Sequence, residues 1–152
     1  MADFKDDQIS ILNDLIETCK DGERGFRESA EGVTDPQLKG LFQKYSSQRQ
    51  EFGRELQAEV RRLGGDPDNS GSVAGSLHRG WINIKAAVTG KDESAIISEA
   101  ERGEDSAVKS YEDALKKNLS ADLEQIVRRQ YSEIKAVHDR VRSLELAKSG
   151  KS

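Results

Sequence analysis

The chain has 152 residues and a formal net charge of −4, and charged and hydrophobic residues each make up 34% of it. With two prolines and 5% aromatics, it has the profile of long, solvated amphipathic helices, not of a β-sandwich or a broad-sheet enzyme. The acidic balance argues against a nucleic-acid partner, no apolar run approaches membrane-spanning length, and a single cysteine, Cys19, leaves no internal disulfide. A single all-α domain over residues 1–148 is expected, with 149–152 fraying. The start, MADFKDDQ, has neither the basic nor the apolar region of a leader, so the expected location is the cytoplasm.

The spacing predicts a first helix from about Asp6 to Glu31, with a stripe of Ile9, Leu12, Ile16, Cys19, Glu23, Phe26 and Ala30. Gly32 suits its left-handed end, and Asp35 can cap a second helix with Pro36 in its first position. That helix runs to about Leu63, and its stripe is Leu38, Leu41 or Phe42, Tyr45, Arg49, Phe52, Leu56 and Val60. The connection between the two helices is short, which makes them antiparallel neighbours.

Gly64 to Lys91 is long enough to cross the length of a bundle, with a short extra helix expected over Val73–Val88. Asp92 is the cap expected for the third long helix, whose stripe is Ile97, Ala100, Glu104, Ala107 or Val108, Tyr111 and Leu115. Ser120 can cap the fourth, with Leu123, Val127, Gln130, Ile134, Val137, Val141 and Leu144 on one face.

Each long helix carries one polar residue on its apolar stripe: Glu23, Arg49, Glu104 and Gln130. A charge facing a core is costly unless it is paired or bound to a cation. Antiparallel packing would bring the four to one polar layer, in which the guanidinium of Arg49 could neutralise the carboxylates without metal or other cofactor. The alternative is a di-iron or di-manganese carboxylate bundle, an oxidase in chemistry, with ligands drawn from Glu23, Glu51, Glu101, Glu104, Glu133 and His138. Such a site wants Glu-x-x-His on two helices, where this chain reads Gln48-x-x-Glu51 and Gln130-x-x-Glu133. On the crossover, Trp81 is expected to anchor the segment onto the bundle with His78 and Arg79 on the polar side, and a third functional reading makes His78, Arg79 and Trp81 a protein-interaction surface. Association through a helical face, as a homodimer, is expected as well.

Several runs together resemble a known group. They are Leu12–Ile16, Asp21-Gly22-Glu23 with Phe26, and Gly71–Gly75. His78-Arg79-Gly80-Trp81, Glu101–Asp105, Gln130-Tyr131 and His138-Asp139-Arg140 complete the set. The resemblance is to small ferritin-like four-helix-bundle proteins of uncharacterised function, mostly proteobacterial, and it spans about Ile11 to Leu144. It implies a ferritin-like antiparallel bundle with a long crossover between the second and third long helices, and no established activity. Analogy with ferritin-like proteins points to a stress-related role. The chain departs from ferritins and rubrerythrins in lacking histidines at the matching places, from mini-ferritins in lacking a first-helix histidine, and from haem-binding bacterioferritins in having only Met1. The expected reading is a non-enzymatic bundle, not a storage cage.

Overall fold

The computed structural model describes residues 4–67 and 80–149. Among these residues there are five helices and no strand: α1 Phe4–Gly32, α2 Pro36–Arg62, α3 Ile84–Thr89, α4 Glu93–Leu115 and α5 Ala121–Ser149. No described helix is long and apolar enough to cross a membrane.

The caps are side chains of the expected type. Asp35 accepts the Gln37 N–H at 2.9 Å, with Pro36 next to it, and Asp92 accepts the Ala95 N–H at 3.2 Å. Ser120 Oγ takes the Leu123 N–H at a longer 3.4 Å. Contacts along the helices run in opposite directions in the α1–α4 and α4–α5 pairs. On α1, Cys19 meets Tyr111 of α4 while Gln8 reaches the backbone of Asn118 and Ser120, and on α5, Gln130 meets Tyr111 while Glu145 meets Ser98 of α4. Helix α1 packs closely on α2 and α4, and α4 on α5, whereas α2 and α5 touch sparsely.

The extra helix differs from expectation. Val73–Arg79 lies outside the described residues, and within them helix begins only at Ile84. Gly80 has a left-handed φ of 74°, and its backbone lies so close to Arg102 and Gly103 that a Cβ would meet the Arg102 carbonyl at 2.7 Å. Next to this turn the Trp81 indole is buried between α1 and α4. The Glu99 carboxylate then accepts the Asn83 N–H at 2.6 Å and fixes the entry to α3.

The apolar core falls into two clusters. One gathers Leu12, Ile16, Cys19, Phe52, Leu56, Tyr111, Val127 and Ile134; the other gathers Phe26, Phe42, Tyr45, Trp81, Ile97, Ala100, Val137 and Val141. Burying such side chains is worth about 1.5–3 kcal/mol each, so these two clusters carry the fold. Between them, in chain position on α2 and α4, stand Arg49 and Glu104.

Candidate functional site

Arg49 and Glu104 meet across the bundle with both terminal guanidinium nitrogens engaged. Nη1 donates to Oε1 at 2.5 Å and Nη2 to Oε2 at 2.6 Å. Their side chains are 1% and 0% exposed, so the pair is withdrawn from water altogether. Two parallel charge-assisted bonds satisfy both carboxylate oxygens at once. The Nε N–H donates to Gln48 Oε1 at 3.2 Å. Burial opposes the charge on Arg49, and Glu104 more than restores it, holding the guanidinium above its ordinary pKa.

Two further groups shape the cradle. The Phe26 ring centroid lies 5.4 Å from Cζ of Arg49, presenting an aromatic partner to the cation. On α1, Gly22 stands against the arginine: a Cβ there would lie 3.0 Å from Nη1 and 3.1 Å from Cγ. The residue facing Arg49 from α1 is therefore this glycine, not Glu23. Glu23 is 28% exposed, lies 3.9 Å from Arg27, and does not join the pair. Helix α1 is turned so that Gly22 admits the guanidinium and Glu23 moves toward solvent.

Gln130 is fully buried, but it belongs to a neighbouring network. Its Oε1 accepts the Tyr111 hydroxyl at 2.7 Å, and its Nε2 donates to Glu55 Oε1 at 2.8 Å. The tyrosine oxygen also lies 3.2 Å from the Cys19 sulfur, and Glu55 pairs with Arg129 at the surface. A chain of hydrogen bonds thus runs from Cys19 through Tyr111 and Gln130 to the exterior. Burial pushes the Cys19 thiol up to about 11 and raises Tyr111 well above its usual range. Neither group is activated by its surroundings. The four expected layer residues are resolved into one ion pair, one relay residue and one peripheral glutamate.

The alternative metal set is not brought together. Glu51 and Glu133 are exposed, and Glu104 has both oxygens on Arg49. Glu101 and His138 do come close to each other, with Asp105, on the outer seam between α4 and α5. On the crossover, His78 and Arg79 lie outside the described residues, and Trp81 is 2% exposed. Trp81 is a buried anchor between α1 and α4, edge-on to Phe26 at 5.1 Å between centroids, and offers no surface to a partner. Gln8 is a structural tie that periodicity missed: it is 1% exposed and joins α1 to the α4–α5 connection by two bonds, with only its place beside the stripe as a signal.

A model for a domain of unknown function, DUF2383, matches residues 7–117. No curated protein matches. Among solved structures, the chain is similar to a two-domain protein from Anabaena variabilis containing DJ-1/ThiJ/PfpI-like and ferritin-like domains, with a TM-score of 0.80 and 20% identity. The alignment covers 96% of this chain and 41% of that one, so the chain spans well under half of that protein's length. The likeness shows the fold, an all-α ferritin-like bundle.

Proposed function

The chain belongs to the DUF2383 family, and from that premise we propose that it is a non-enzymatic ferritin-like bundle protein, its central layer closed by Arg49 and Glu104 where such bundles otherwise carry paired metals. The observation that carries this reading is the bidentate, fully buried Arg49–Glu104 pair. A di-metal centre needs carboxylates and imidazoles with free lone pairs aimed inward. Here the central carboxylate is spent on a guanidinium, the amide of Gln130 is spent on Tyr111 and Glu55, and His138 sits on an outer seam. The donor set does not fit two ions in the core. The stress-related part of the role rests on fold-level analogy alone.

Anaerobic loading with Fe(II) followed by oxygen tests the reading. The expected result is no iron-dependent oxygen uptake above buffer, with iron content unchanged by Glu104→Gln. Oxygen uptake that Glu104→Gln abolishes, in a folded protein, would overturn it and establish a metal-dependent oxidase.

A further inference from the structure

The seam between α4 and α5 gathers donors that the core does not use. Glu101 and Asp105 are one helical turn apart on α4, and His138 reaches them from α5, the three offering ligand atoms within 4.8 Å of one another. Glu101 and His138 have side chains only 12% and 13% exposed, whereas Asp105, at 60%, is free to reorient.

The imidazole is oriented from both sides. Its Nδ1 lies 3.1 Å from Asp139 Oδ1, and Asp139 is itself held by Lys135 at 2.9 Å. Its Nε2 points at Asp105 Oδ1, 2.5 Å away. A carboxylate on one ring nitrogen is the arrangement that fixes a ligating histidine's tautomer and leaves the other nitrogen for a cation. A third carboxylate, Glu145, is in hydrogen-bond contact with Glu101 and takes a bond from Ser98 at 2.7 Å. Arg142 donates to Glu101 Oε2 at 3.1 Å, and Arg102 also faces Glu145.

We propose that Glu101, Asp105 and His138 form a binding site for a single divalent first-row transition cation, with solvent completing its coordination and Asp139 positioning the imidazole. One imidazole and two carboxylates suit zinc, cobalt or manganese, and the absence of thiolate in the set disfavours softer ions. Bonds of about 2.0–2.2 Å to such an ion require the donors to close from their present spread, which side-chain rotation of Asp105 and Glu101 supplies. On binding, the cation takes the place of the contact between Nε2 and Asp105. The site touches neither Arg49 nor Glu104, so it stands or falls independently of the metal-free core.

The test is titration of the chelator-stripped full chain with Co(II), read by visible absorption and by metal-to-protein stoichiometry. One ion per chain is expected, lost in His138→Gln and in Glu101→Gln and unaffected by Glu133→Gln, an exposed carboxylate on α5, the helix of His138. Asp139→Asn should keep the stoichiometry and weaken affinity by about 10–100-fold. Paramagnetic broadening in the unmutated protein, centred on His138, gives the same answer without substitutions. Absence of stoichiometric binding, binding unchanged in His138→Gln and Glu101→Gln, or broadening centred elsewhere would overturn the proposal. Metal that survives both seam substitutions but is lost with Glu104→Gln would instead count against the metal-free core.

Discussion

The indole of Trp81 fills the space that a side chain at Gly103 would occupy. A Cβ built on Gly103 would lie 2.1 Å from Cε2 of the indole, and one on Gly25 of α1 would lie 2.3 Å from its Cδ2, so two glycines on facing helices make one slot for one tryptophan. Gly103 directly precedes Glu104, so the slot lies beside the buried ion pair in the chain.

Gly103→Ala should consequently destabilise the protein despite alanine's better helix propensity, because the indole is boxed in by Phe26 and has nowhere to shift. Trp81→Ala should cost roughly 3–5 kcal/mol by emptying the slot. Gly40→Ala, at an exposed α2 position where a Cβ meets nothing within 4 Å, should stabilise by about 0.5–1 kcal/mol. Urea unfolding of the three variants checks all of these signs. A neutral Gly103→Ala would mean that the slot is looser than its geometry.

The stripes of α2, α4 and α5 were legible because threefold and fourfold spacing reports burial directly. Leu38, Tyr45, Phe52 and Leu56 on α2, and Val127, Ile134 and Val141 on α5, are buried as their spacing implies. Arg49 and Glu104 stood out for the same reason, as charges on apolar stripes. Helix α1 was read one position off at Glu23, because a glycine gives no hydrophobic signal even when it faces the core. Nor could periodicity reveal that Trp81 enters the bundle from a turn, since that depends on the left-handed φ of Gly80 and on glycines distant in sequence.

The Cys19 thiol, raised by burial from 9.0 to about 11, should make native stability fall at alkaline pH. A group whose folded pKa is raised contributes its stability in full below the unfolded value and loses it as pH climbs to the folded one. The window is therefore 9.0 to about 11, and the loss by its end is roughly 2–3 kcal/mol. Unfolding free energies across that range should fall more steeply for the unmutated chain than for Cys19→Ala. In the native state at neutral pH, Cys19 should also resist a thiol reagent until urea exposes it; prompt labelling would contradict its burial.

Tyr111→Phe removes the hydroxyl that Gln130 Oε1 accepts from and that lies against Cys19. Gln130 is then left with a buried acceptor lacking that donor, at a cost of about 1–3 kcal/mol. Adding Gln130→Leu should cost less in the Tyr111→Phe background than alone, measured by the same unfolding cycle. Equal costs in the two backgrounds would show that the relay is not energetically joined.

The most direct test of the central claim is a double-mutant cycle on Arg49→Met and Glu104→Leu, followed by urea unfolding. Each single change strands a buried opposite charge and should cost roughly 3–5 kcal/mol, while the double variant, with apolar groups on both sides, should lose far less than the sum. That outcome would establish the two residues as one neutralised unit at the centre of the bundle. Additive losses would contradict it, and would mean that something other than Arg49 balances Glu104.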